Sequence, residues 1–193
     1  MTRAQRLIRL AIAGLILLSS LAGCASGSGT IVSEARDVGD FNGVDVSGGI
    51  HVVITVDPES TRSQVTSIYD DNLQGKVRTE VVDGTLMVEA NANIDVTETD
   101  RHVEVAVASL ETLLVSGGAH VDGAGSASVL AVEVDGGAEV DLASLVVQNM
   151  DVSASAGAKV DVRVETAISG DVSSGAELTV LGDPPNRTLD VSG

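Results

Sequence analysis

Val134-Asp-Gly-Gly-Ala-Glu-Val140 is one of several versions of a single phrase. Val115-Ser-Gly-Gly-Ala-His-Val121 precedes it, and Ala154-Ser-Ala-Gly-Ala-Lys-Val160 and Val172-Ser-Ser-Gly-Ala-Glu-Leu178 follow. An earlier relative is Val46-Ser-Gly-Gly-Ile-His-Val52. In the four later copies the fourth-position glycines are Gly118, Gly137, Gly157 and Gly175, separated by 19, 20 and 18 residues. A period near 20 built from β-formers and glycine marks a coiled solenoid, in which each unit buries its apolar face on its neighbours.

Each copy alternates with period two, as a strand does. Val134, Ala138, Val140 and Leu142 share one side with Gly136; Asp135, Gly137, Glu139 and Asp141 share the other. The third and fourth copies keep the same division, so the register is strongly specified. The inward residues are small, which suits a narrow interior, and Phe41 and Tyr69 are the chain's only aromatic residues. The small third-position residues (Gly117, Gly136, Ala156, Ser174) fit a tight bend, and the fourth-position glycines imply positive φ or close backbone approach. A coil of 19 residues at roughly 3.3 Å each has a perimeter of about 60 Å, room for two or three short strands and their corners.

Outward from the repeat, residues 1–23 read as a leader. Arg3, Arg6 and Arg9 form a positive start, and Leu10 to Leu18 is an apolar run too short for a comfortable membrane span. Leu21-Ala22-Gly23-Cys24 then resembles a bacterial lipobox, which implies cleavage before Cys24 and its acylation. Multiple acyl chains would give stable attachment to the outer face of a bacterial membrane, the cell membrane or an outer membrane. Residues 24–37 read as a flexible tether reaching about 20 Å.

From Cys24 onward the formal charge is −20, against −17 for the whole chain, because the leader carries three Arg and no acid. Without a basic patch, nucleic acid is excluded as a partner. Cys24 is the single Cys, so no intramolecular disulfide contributes. Residues 38–108 form a less regular part of the expected β-solenoid (38–193), and residues 109–193 its regular coils. Phe41 to Val56 reads as a strand pair broken by Asp57-Pro58, with further strands at Val77–Val82, Leu86–Glu89 and Val103–Val107. Asp83-Gly84 suits either a two-residue hairpin or a coil corner. Asp70-Asp71-Asn72-Leu73 reads as a polar loop. Val191-Ser-Gly193 stands 19 residues after Val172-Ser-Ser174, which implies a further coil and an exposed edge.

Phe41-Asn-Gly-Val-Asp-Val-Ser-Gly-Gly-Ile-His-Val52, Asp71-Asn-Leu73, Asp83-Gly-Thr-Leu86, Ser109-Leu-Glu-Thr-Leu-Leu-Val-Ser-Gly-Gly-Ala119 and Leu181-Gly-Asp-Pro184 occur in an order that resembles the bacterial head GIN domain family (DUF2807), a group of auto-transporter-adhesin-like domains. The resemblance spans about residues 38–193. It implies a right-handed parallel β-helix, often on lipoproteins, and brings no catalytic residues. The chain contains no translocator barrel of the kind an autotransporter carries.

Candidate chemistry centres on acids. Asp122, Asp141 and Asp161 share one outward repeat position, which stacking would place about 5 Å apart. Such a column raises pKa values or recruits a cation, and Ca²⁺ takes such oxygens. A solvated acidic face is the plainer reading and the one preferred, so no metal or cofactor is expected. Lys159 shares its column with Glu139 and Glu177, which predicts ion pairs between coils. His51 and His120 share a repeat position, and His102 opens a strand, but their spacing makes no metal triad, so solvent-facing imidazoles are expected. No nucleophile elbow, phosphate loop or zinc motif occurs. The expected function is therefore a non-catalytic, lipid-anchored envelope module, with the membrane and a protein or polysaccharide ligand as partners. A carbohydrate-active enzyme on a β-helix and a structural envelope-assembly partner are the alternatives.

Overall fold

The structure, a computed structural model, describes residues 26–90 and 100–193. The leader and Cys24 lie outside the described residues. Within them the chain is all-β apart from a 3₁₀ turn at Gln74–Lys76.

Thirteen strands follow in order: β1 (Ile31–Arg36), β2 (Gly43–Ser47), β3 (His51–Val56), β4 (Gln64–Asp70), β5 (Val77–Val82), β6 (Thr85–Ala90), β7 (His102–Val107), β8 (Thr112–Val115), β9 (His120–Val134), β10 (Glu139–Ala154), β11 (Lys159–Ser173), β12 (Glu177–Leu181) and β13 (Asn186–Ser192). They join in one mixed sheet. The pairs β1–β4, β4–β7 and β5–β6 are antiparallel. The repeat-bearing strands pair in parallel: β3 and β10 flank β9, β11 follows β10, and β12 and β13 both pair with β11.

The repeat sets this register. Val140 faces Val121 on one side and Val160 on the other, and Val160 faces Leu178. Val121 in turn faces Val52, and Val52 faces Val103. The expected column therefore exists and extends into the first half of the chain. Its first five members are fully buried, while Leu178, on the last short strand, is partly buried. A second column runs Val46, Val115, Val134, Ala154, Val172, Val191. It ends in the open, with Val191 73% exposed.

At the corners, the fifth residue of each later copy donates its N–H to the second residue's carbonyl, as Ala119 does to Ser116 and Ala158 to Ser155. Both residues between have positive φ, as at Gly136 (66°) and Gly137 (72°). That is the mirror-image turn whose twist matches the strands it joins. The third-position residues therefore leave the inward face and sit exposed at the corner, unlike the simple alternation read from sequence.

Asp83-Gly84 is a hairpin: β5 and β6 are antiparallel with Val82 opposite Thr85, and both turn residues have positive φ. Residues 31–36 of the expected tether form β1, because β4 offers an edge and a buried polar cluster fastens it. The expected polar loop at 70–73 is buried at both ends, through Asp70 and Leu73. In that cluster the Gln74 side chain donates to the Val32 carbonyl at 2.8 Å and the Ser67 carbonyl at 3.2 Å, and accepts from the Ser67 hydroxyl at 2.7 Å and Arg36 at 2.9 Å. Beside it Asp70, fully buried, pairs with Arg101 and accepts from the Gly29 N–H. These contacts hold the Asp70 carboxyl below its ordinary range, Arg101 contributing most.

Candidate functional site

The outward faces of β7, β3, β9, β10, β11 and β12 carry two aligned rows of side chains. The register puts His51 opposite His120, His120 opposite Glu139, Glu139 opposite Lys159 and Lys159 opposite Glu177. His102 immediately precedes Val103, the partner of Val52, and so stands level with His51. The next row, two residues along, holds Glu104, Val53, Asp122, Asp141 and Asp161. The acidic column expected from sequence is thus in register, and its members are committed differently. Asp122 turns to two imidazoles, and Asp141 accepts from the Ala143 N–H at 2.9 Å.

Three histidines that sequence spacing left apart gather at one end of these rows. The His51 and His120 ring centroids are 4.9 Å apart, edge to face, and His102 lies 5.7 Å from His51. The Nε2 atoms of His51 and His120 both point at Asp122, at 2.9 Å from one carboxylate oxygen and 3.3 Å from the other. Nδ1 of His120 lies 3.7 Å from Glu139, and Glu139 accepts from Lys159 at 2.9 Å. His102 stands 3.5 Å from Glu104.

All three rings are partly buried. Burial is the largest influence on His51 and holds its pKa below the ordinary value, while Asp122 pulls the other way and His120 and His102 reinforce the lowering. Glu139 holds the Lys159 ammonium above its ordinary pKa. Both members of that pair are half exposed, so solvent screens it and it adds little to stability.

Sequence reading assigned these histidines to solvent. The signal available was the shared repeat position of His51 and His120. It lacked the knowledge that β3 and β9 are neighbours although their cluster bridges 71 residues of chain.

A separate groove of about 870 Å³ runs between the Ser109–Thr112 segment and the middle of β9, with Pro58, Val146 and Gln148 along its wall. Glu111 is the one ionisable group among its described lining residues. Paired carboxylates with a nearby base, the arrangement a glycoside-cleaving site needs, are therefore missing from its described walls.

Comparison with known proteins adds the following. The family profile described as "Putative auto-transporter adhesin, head GIN domain" matches residues 40–126 and 115–184. Among solved structures, an adhesin-type protein from Bacteroides fragilis is similar at 15% identity with a TM-score of 0.48, over 88% of this chain and 96% of that one. A second, from Parabacteroides merdae, is similar at 13% identity and TM-score 0.44, over 87% and 98%. A protein from Parabacteroides distasonis described as lipid-binding is similar at 13% identity and TM-score 0.40, over 89% and 98%. No curated protein matches the chain in sequence.

Proposed function

We propose, for a chain that belongs to the auto-transporter-adhesin head GIN domain family, a non-catalytic role as a surface interaction module tethered to the cell envelope by lipid on Cys24. The observation that carries this reading is the outward face itself. Side chains from six neighbouring strands lie there in aligned rows, an extended and chemically varied surface suited to a protein or polysaccharide partner. The leader supports the address: Arg3, Arg6 and Arg9, a short apolar run, then Leu21-Ala22-Gly23-Cys24. The parallel registers with offsets of 17 to 20 residues support a right-handed β-helix as the finer description of the regular half.

Fractionating cells that express the intact chain tests the anchor. The native protein is expected in the membrane fraction and Cys24→Ser is expected to leave it; a variant that stays membrane-bound removes the anchor. Adhesion of cells bearing the native protein, compared with cells lacking it, tests the module. Unchanged adhesion and envelope integrity on deletion count against that role.

A further inference from the structure

We infer that His51, His120 and Asp122 form a binding site for a divalent cation of the zinc class, with Glu139 as the positioning group behind His120. Donor type comes first. Two imidazoles and one carboxylate are donors that zinc takes readily, and hard oxygen-seeking ions such as Ca²⁺ do not favour imidazole. Geometry comes second. One ligand atom from each residue lies within 4.8 Å of the others. Around a zinc ion, bonds of about 2.0–2.2 Å to nitrogen and oxygen put neighbouring ligand atoms roughly 3–3.5 Å apart. Each imidazole Nε2 already stands near that spacing from an Asp122 oxygen, His51 at 2.9 Å from one oxygen and His120 at 3.3 Å from the other.

The support behind the ligands is an independent observation. A metal-bound histidine characteristically directs its other ring nitrogen at a carboxylate, which fixes the tautomer and orients the ring. His120 is set for this: Nε2 faces Asp122 while Nδ1 lies 3.7 Å from Glu139, in ion-pair range and a short side-chain movement from a hydrogen bond, and Glu139 is itself held by Lys159. The ladder supplies rigidity. His51 and His120 are direct partners across β3–β9, and Asp122 stands two residues beyond His120 on the same face. Three protein donors leave one position of a tetrahedral ion open on the solvent side. This site stands on side-chain geometry alone and does not depend on the anchor at Cys24.

The test uses the full-length chain in detergent with Cys24→Ser, which removes the one thiol. Zn²⁺ alone is titrated against a chromophoric chelator, and Co²⁺ reports geometry by its visible absorption. One ion per chain is expected, with a tetrahedral nitrogen–oxygen Co²⁺ spectrum. His51→Gln, His120→Gln and Asp122→Asn should each weaken binding at least tenfold, and Glu139→Gln by about tenfold, as loss of such a support does elsewhere. Asp141→Asn with Asp161→Asn should keep the site. Absence of stoichiometric binding, affinity unchanged in His120→Gln, or loss only in the Asp141/Asp161 double variant overturns the assignment. If a variant does not fold, the imidazole resonances of His51 and His120 in the parent protein decide. They must shift together on Zn²⁺ addition, and their failure to do so ends the proposal.

Discussion

Leu142 and Gln74 are both buried, yet they hold their surroundings together in different ways. Leu142 belongs to the stack of β9, β10 and β11, where parallel strands repeat one pattern and the interior is entirely apolar. Gln74 belongs to the edge formed by β1, β4 and β7, where strands run antiparallel and a few named polar contacts replace the repeat. The stack takes its register from many equivalent residues, so stability is spread along the columns. The edge concentrates it in one side chain that bonds β1, β4 and Arg36 together. Changes in the stack should therefore act in proportion to volume and backbone clearance, and changes at the edge should act locally.

The largest effect is expected where the stack has no clearance. Gly170 has φ 138°, and a Cβ there would sit 1.8 Å from the Val152 carbonyl oxygen on the adjacent strand. Gly170→Ala should cost about 3 kcal/mol or more in urea unfolding, or prevent folding, since backbone has to move. Gly137→Ala, at φ 72° with open space around it, should cost less than about 1.5 kcal/mol, the left-handed penalty of about 1–2 kcal/mol being partly offset by the smaller freedom of the unfolded chain. Equal losses at the two glycines would remove close backbone approach as the reason for Gly170.

Next comes the apolar column. Leu142→Ala should lose about 2–5 kcal/mol, the usual range for a buried leucine. Val129→Ala, at a side chain 60% exposed, should stay within about 0.5 kcal/mol of the parent.

At the edge, Gln74→Ala removes the Gln74 partner from the Ser67 hydroxyl and from the Val32, Ser67 and Tyr69 carbonyls, a loss of roughly 2–3 kcal/mol. Hydrogen exchange makes the contrast sharp. Amides of β1 and β4 should exchange faster while those of β10 keep their protection. Uniform acceleration across both regions would show that the edge and the stack unfold as one unit.

Acid should also separate the regions. Arg101 depresses the folded-state pKa of Asp70, so the stability this carboxylate contributes is present above the ordinary carboxylate range. It is lost as pH falls from about 4 through the depressed value, because the unfolded chain then binds the proton first. Thermal melts from pH 7 to pH 2 should show this acid limb, and Asp70→Asn should flatten it. A limb of unchanged depth in Asp70→Asn would assign acid sensitivity to other carboxylates.

The same division explains what could be read from sequence. The Val121–Val140–Val160–Leu178 column was legible because period-two alternation recurs with an offset of 18 to 20 residues, while Asp83-Gly84 marked a turn without deciding between a hairpin and a coil corner. β1 was not, because Ile31-Val-Ser-Glu-Ala-Arg36 lacks period-two alternation, keeps its side chains largely exposed and gains its place from Gln74. The histidine cluster fell between: the shared repeat position of His51 and His120 was visible, but the chain order gives no sign that β3 lies directly against β9. Third-position residues were misplaced onto the inward face because alternation was carried through the corner, where two left-handed residues interrupt it.

Those corners give the smallest expected effect and the one with opposite sign. The first three corners use Gly at the third position, at Gly48, Gly117 and Gly136, while Ala156 and Ser174 adopt the same conformation with φ of 53° and 55°. The early corners also pack tightly: a Cβ on Gly117 would meet the Gly48 nitrogen at 3.1 Å, and one on Gly136 would meet the Gly117 nitrogen at 3.2 Å. A side chain in the left-handed region costs about 1–2 kcal/mol. Glycine removes that cost but gives back about 0.4–1 kcal/mol through the greater freedom of the unfolded chain. Ala156→Gly should therefore stabilise the stack by about 0.5 kcal/mol, and Ser174→Gly by a similar amount, while Gly136→Ala should destabilise it by more than either gain. Urea midpoints measured on the three variants decide the matter. If Ala156→Gly lowers the midpoint, the Ala156 methyl contributes packing that outweighs its backbone strain, and the corners are not interchangeable copies of one turn.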